Sequence, residues 1–149
     1  MVIAIVFTST NTKDKKHSWD ELKRGLFIMK RILVVDDEQL LLQGLGTVLQ
    51  SDSTVVRTVE TGGGALAEIA SSSYHLCFLD VFLPDIDGVE VLNKIKILSP
   101  KTKVIIMTAG IITDGMKESI EKNAYMFIPK PFDLLQIRML VKMILEESD

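Results

Sequence analysis

Cysteine is almost absent from this 149-residue chain: Cys77 stands alone, so no intramolecular disulfide can staple the fold and no cysteine cluster can hold zinc. Within the run His75-Leu76-Cys77-Phe78-Leu79 it reads as a small buried hydrophobe rather than a redox group. A basic excess is also missing. The 17 Lys and Arg face 20 Asp and Glu, for a net charge of -3, which removes the electrostatic footprint of a sequence-independent nucleic-acid binder. No direct nucleic-acid partner is expected. Nor is there a long hydrophobic run: the apolar start Met1 to Phe7 lacks a basic leader and falls far short of a membrane span. The expectation is therefore no membrane partner and a cytoplasmic location. Internal repeats and low-complexity tracts are absent, and His17 and His75 are too separated to suggest a metal pair.

What remains, 47% hydrophobic and 25% charged residues, is the composition of one globular domain with a single core. Residues 1–28 differ from the rest and are expected to be an N-terminal extension, either poorly ordered or forming a short helix over Trp19 to Phe27 from the capping-box spacing of Ser18-Trp19-Asp20-Glu21. From residue 29 to 149 the chain reads as one domain. Short β-branched runs alternate with longer segments of helical period, the signature of βαβ units and a parallel sheet. The strands are predicted at Arg31 to Val35, Thr54 to Val59, His75 to Leu79, Lys103 to Met107 and Tyr125 to Ile128. Helical stripes fall on Leu41, Leu45, Val48 and Leu49, on Leu66, Ile69 and Ala70, on Val91, Leu92 and Ile95, and on Leu134, Ile137, Leu140, Val141 and Ile144. Gly44 and Gly46 inside the first helix each cost about 1 kcal/mol against alanine, which packing must offset.

In a doubly wound parallel sheet, ligand chemistry collects beyond the carboxyl ends of the strands. The residues expected there are Asp36, Asp37 and Glu38 after strand one, Asp80 after strand three, Thr108 after strand four, and Lys130 after strand five. One such aspartate would ordinarily be a helix cap; the set converging on one edge is the signal. Carboxylates this close repel unless a cation neutralises them, and a hard divalent ion such as Mg²⁺ suits an all-oxygen site. One carboxylate can then act as a nucleophile toward a phosphoryl group, with the lysine and the ion neutralising charge in transfer.

Four segments carry a family likeness: Ile32-Leu33-Val34-Val35-Asp36-Asp37-Glu38, Leu79-Asp80-Val81-Phe82-Leu83-Pro84-Asp85-Ile86-Asp87-Gly88, Val104-Ile105-Ile106-Met107-Thr108-Ala109, and Phe127-Ile128-Pro129-Lys130-Pro131-Phe132. Over Arg31 to Glu147 the chain resembles the receiver domains of two-component response regulators. The resemblance implies an α/β fold, a doubly wound five-stranded parallel sheet of the (βα)5 flavodoxin-like receiver type. It makes Asp80 the phosphoacceptor, and Asp37, Asp80 and the backbone carbonyl of Phe82 the Mg²⁺ ligands, with Asp36 acting through water. Thr108 and Phe127 match the switch pair, Lys130 the phosphate-pairing lysine, and Lys130-Pro131 a cis peptide. The implied partners are a histidine kinase or histidine phosphotransfer protein upstream, and a downstream effector protein or a second copy through the face of helix four, strand five and helix five. There Leu135 and Met139 should face solvent. A chemotaxis- or sporulation-type single-domain regulator, a phosphorelay intermediate and a receiver cut from a longer protein all fit. No output domain follows within these residues, so output is expected through a partner.

Three departures bear on switching and phosphate lifetime. Phe127 replaces the frequent tyrosine, Asn123-Ala124 stands where Gly-Ala is common, and Phe82 is bulky and apolar. Phe82 is expected to shield the phosphoryl group and slow its hydrolysis, while Gly110 leaves the opposite side open. Two other classes compete. A haloacid-dehalogenase-type phosphohydrolase would use Asp85-Ile86-Asp87-Gly88-Val89, but Pro84 rather than a strand precedes Asp85, and Lys130 is followed only by Asp133, the expected cap of the last helix. A constitutive receiver-like interaction module would have lost an acid, the threonine or the lysine. Thr61-Gly62-Gly63-Gly64 lacks a following Gly-Lys-Ser/Thr and reads as a turn. The protein is therefore not expected to be an enzyme beyond promoting its own phosphorylation and dephosphorylation.

Overall fold

The computed structural model describes residues 29–147; the expected N-terminal extension, with its short helix, lies outside them. Strands and helices alternate as β1 (Lys30–Val35), α1 (Gln39–Leu49), β2 (Thr54–Val59), α2 (Gly62–Ser71), β3 (Leu76–Asp80), α3 (Gly88–Leu98), β4 (Lys103–Thr108), α4 (Asp114–Asn123), β5 (Met126–Pro129) and α5 (Leu134–Glu147). All four strand pairings are parallel, in the order β2-β1-β3-β4-β5. β2 lies on one side of β1 and β3 on the other, so the winding reverses at β1 and β3. Their carboxyl ends flank the crevice where such a sheet binds ligands.

Side chains of a strand alternate between faces, and both faces here are covered, so the buried stretches of the central strands are near-continuously apolar. Leu33, Val35, Cys77, Leu79, Val104 and Ile106 point to the layer of α2, α3 and α4. Ile32, Val34, Leu76, Phe78, Ile105 and Met107 point to α1 and α5. Cys77 is fully buried among them, and burial pushes its thiol up to about 12, leaving it as inert as predicted.

Two helical stripes turn relative to the predicted ones. In α1 the buried set is Leu42, Leu45 and Leu49, with Leu41 and Val48 at its rim; in α2 it is Ala65 and Ile69, while Ala70 is exposed. A stripe of two or three apolar residues fits adjacent rotations of a short helix, and packing selects one. The helix α4 buries only Ile120, which is why no apolar stripe announced it. Caps set the helix starts: Thr61, Asp87 and Thr113 accept amides of α2, α3 and α4, and Asp133 accepts those of Leu135 and Gln136 as expected. Packing accounts for Gly44, where a Cβ would come within 2.9 Å of Leu134 Cδ1; at Gly46 the nearest neighbour, Thr58 Cγ2, is an ordinary 3.7 Å away. Only the first of these two helix-interior glycines is therefore explained by close packing. Among the described residues, no helix is long and apolar enough to cross a membrane.

Candidate functional site

The strand ends bring the predicted chemical residues together. Asp36 leaves β1 wholly buried, Asp37 beside it is exposed, and Asp80 closes β3 in a buried position. Ligand oxygens from Asp36, Asp37 and Asp80 lie within 4.8 Å of one another. Lys130, directly after β5, enters from the other side: its Nζ is 2.5 Å from Asp36 Oδ2 and 3.0 Å from Asp80 Oδ2. Thr108 completes the edge, buried, with Oγ1 accepting the Gly110 amide at 3.2 Å. That bond engages an oxygen lone pair and not the hydroxyl proton.

One placement differs from the sequence reading. Asp80 and Thr108 are not the first residues beyond their strands but the last within them, in register with Met107 and Pro129. β3 correspondingly starts at Leu76 rather than His75. The ladder extends through the polar residues because neighbouring strands satisfy their backbone groups. Both side chains are thus fixed by sheet geometry rather than by loops. The Lys130-Pro131 bond is cis, as expected.

The local electrostatics follow from one lysine facing several carboxylates. Burial raises the Asp36 carboxyl above its usual range, against the lowering pull of the Lys130 hydrogen bond and of the Glu38 amide, which donates to Asp36 Oδ1 at 2.8 Å. For Lys130, burial favours the neutral amine, but hydrogen bonds to Asp36, Glu38 and Asp80 outweigh it and raise the pKa, so the ammonium is retained. The Glu38 contact, at 3.0 Å, was not anticipated; its side chain is exposed, and nothing in its spacing distinguished it from a solvated acid. The anionic charge exceeds what one lysine neutralises, and the donors are all oxygens, a set suited to a hard divalent cation.

Two aromatic rings stand at the rim. Phe127 pairs in register with Ile106 and is 42% exposed, an outward position. Phe82 corrects the expectation about Gly110: a Cβ at Gly110 would lie 2.0 Å from Phe82 Cε2, so the ring fills the space the glycine leaves open. It reaches from the loop after Asp80 to the loop after Thr108. The departure at Asn123 also has a physical meaning. Its Nδ2 and Ser119 Oγ both donate to Asn93 Oδ1 at 2.8 Å, tying α4 to α3, a tertiary contact that no local pattern announces.

A doubly wound parallel sheet with three aspartates, a threonine and a lysine gathered at its winding reversal defines a receiver of the two-component signalling class. The chain belongs to the response regulator receiver domain family, whose model matches residues 32–142. It is 34% identical over 113 residues to sporulation initiation phosphotransferase F of Bacillus subtilis, covering 76% of this chain and 91% of that protein. It is 37% identical over 102 residues to the transcriptional regulatory protein CutR of Streptomyces coelicolor, covering 68% of this chain. The match spans about half of CutR, 47% of its length. A CheY-like response regulator receiver domain from Methanospirillum hungatei superposes with a TM-score of 0.74 at 30% identity, covering 80% of this chain and 95% of that one. The family is one of signalling regulators rather than of classical enzymes.

The Lys130 contacts generate a stability prediction. Replacing Lys130 with Met leaves Asp36 buried without its cation and is expected to lower the unfolding free energy by about 3 to 5 kcal/mol, the usual penalty for removing one partner of a buried ion pair. Urea unfolding with and without Mg²⁺ checks it. Millimolar Mg²⁺ is expected to recover part of the loss, because the ion would neutralise the same carboxylates.

Proposed function

We propose that this receiver accepts a phosphoryl group on Asp80 from a histidine kinase or histidine phosphotransfer protein and signals by a phosphorylation-dependent change of shape. The carrying observation is that the buried Asp80 carboxylate shares the Lys130 ammonium with Asp36 inside the three-aspartate cluster. In transfer, an Asp80 carboxylate oxygen attacks phosphorus, the bond to the donor histidine nitrogen breaks, and the imidazole leaves with that bond's electron pair. Asp37, Asp80 and the Phe82 carbonyl would hold Mg²⁺, with Asp36 acting through water, and the ion would supply charge neutralisation at the phosphoryl oxygens. Lys130 would turn its ammonium from Asp80 to a phosphoryl oxygen, and the Thr108 hydroxyl would donate to another. Phe127 would follow Thr108 inward.

The rival readings find less support. Both oxygens of Asp85 are engaged by backbone amides, so it is not poised as a phosphohydrolase nucleophile. A constitutive module would not need the intact acid, threonine and lysine set. The only turnover we assign is the protein's own phosphorylation and dephosphorylation. The match over nearly all of a protein named a sporulation initiation phosphotransferase supports a phosphotransfer role.

Acetyl phosphate with Mg²⁺ is expected to produce one base-labile acyl phosphate, mapped to Asp80 by mass spectrometry. Undiminished labelling of Asp80→Asn would remove Asp80 from its role.

The Phe82 ring supports slow hydrolysis of that acyl phosphate. A benzyl group spanning the gap toward Gly110 offers an incoming water no hydrogen-bonding partner, and in-line hydrolysis depends on positioning that water. Phe82→Asn keeps the backbone carbonyl, opens the approach and supplies a polar group. First-order decay is expected to accelerate roughly ten-fold, about 1.4 kcal/mol of barrier; decay no faster than the parent's would refute shielding.

Output is assigned to the face of α4, β5 and α5. Leu135, Met139 and Met143 are 65%, 68% and 60% exposed at i, i+4 and i+8 of α5, one residue more than the sequence suggested. An apolar stripe of this kind suits an effector protein or a second copy. The Leu135→Glu, Met139→Glu double variant is expected to lose phosphorylation-dependent association while retaining Asp80 labelling; unchanged association, by analytical ultracentrifugation or effector titration, would place the interface elsewhere.

A further inference from the structure

Between Asp80 and α3 the chain makes a closed loop. At its base the Phe82 amide donates to Asp80 Oδ1 at 3.1 Å, the Gly88 amide donates to the Val81 carbonyl at 2.9 Å, and Phe82 and Asp87 form an antiparallel bridge. The tip is held differently. Asp85 Oδ1 accepts the Gly62 amide at 2.8 Å and its Oδ2 accepts the Gly63 amide at 2.9 Å, both in the first turn of α2. These amides have no partners within their own helix, and the positive end of the helix dipole favours a carboxylate there. They also hold the Asp85 carboxyl below its ordinary pKa. Thr61 Oγ1 takes the next amide, from Gly64, at 3.0 Å.

The glycines make room for this contact. A Cβ at Gly63 would lie 3.2 Å from Asp85 Oδ2, and one at Gly62 would lie 2.8 Å from Val91 Cγ2 and 3.2 Å from Ile86 Cβ. Thr61-Gly62-Gly63-Gly64 is thus a seat for an internal carboxylate brought in from the loop after β3. The contact joins parts of the chain 22 and 23 residues apart and crosses from α2 to the segment that carries Phe82.

We propose that Asp85 is a positioning residue for the phosphorylation site: by clamping the loop tip to α2 it fixes the Phe82 backbone, so that the Phe82 carbonyl is already aimed when a divalent ion arrives. The proposal rests on the function given above, in which that carbonyl is a ligand. Asp85 itself touches neither the ion nor the phosphoryl group. Its effect passes through the loop, and Phe82 is held from both sides, by Asp80 at the base and by the clamp at the tip. A role confined to capping α2 would stabilise the helix and leave ion affinity alone.

Mg²⁺ binding to the unphosphorylated full chain, measured by isothermal titration calorimetry alongside urea midpoints, separates the two roles. Asp85→Ala is expected to weaken Mg²⁺ binding on the order of ten-fold, the low end of what loss of a group orienting a metal ligand costs. Asp85→Asn, which keeps one neutral acceptor, should fall between it and the parent and serves if the alanine variant does not fold. Thr61→Ala is the control: it removes a cap from the same helix end without touching the loop, and its affinity should stay within about two-fold of the parent while its urea midpoint falls. Parent-like affinity in folded Asp85→Ala or Asp85→Asn would overturn the proposal, as would equal losses in the Asp85 and Thr61 variants. A parent that binds no Mg²⁺ would overturn the metal-dependent function, and the proposal with it, before any variant is compared.

Discussion

The ammonium of Lys130 is the meeting point on which the site depends. It hydrogen-bonds Asp36 and Asp80 across sequence separations of 94 and 50 residues, linking the ends of β1, β3 and β5. Carboxylates drawn to one edge repel, and burying them adds a desolvation penalty. The fold tolerates this because the central strands bury apolar side chains on both faces below this edge. The same imbalance is what makes the edge receptive, since a site with more anionic charge than its lysine neutralises gains when further cationic charge enters.

Rigidity is distributed to match. Asp80 and Thr108 belong to strands whose neighbours hold them in register, while Asp37, Glu38 and Phe82 occupy exposed positions beyond the strand ends. A carboxylate and a hydroxyl on strands are placed more accurately than groups on free loops. The loop carrying Phe82 approaches strand-like order through its bridge to Asp87 and the Asp85 contact with α2.

Legibility in the sequence followed the physics of each element. The central strands were plain because burial on both faces leaves near-continuous apolar runs, and the candidate site stood out because one charged residue after such a run is ordinarily a cap, whereas acids, a threonine and a lysine at four strand ends rarely share that explanation. The strand ends were read one residue short at Asp80 and Thr108, since polarity suggests an end where the hydrogen-bonded ladder continues. Apolar counting misjudged Ala70, which is exposed, and passed over Leu42 and Ala65, which face the core, while Leu41 packs at its rim. Glu38 on Lys130, Phe82 over Gly110 and Asp85 on Gly62 and Gly63 were not legible, because each depends on two distant backbone segments meeting at a particular height.

The helix α4 shows how weak local signal and function meet. It buries only Ile120, so little apolar area anchors it, and elements with few buried contacts are those a protein can displace at low free-energy cost. Its attachment to α3 is supplemented by polar contacts, through Ser119 and Asn123 to the single acceptor Asn93 Oδ1. Hydrogen bonds are directional and short-ranged, so such a link holds one arrangement and yields abruptly once its geometry is lost. Where glycine stands in place of Asn123, the bond from the C-terminal end of α4 cannot form. In this chain, displacing α4 must therefore break contacts that Ile120 burial alone would not impose, which biases the helix toward its present position before any phosphoryl group arrives.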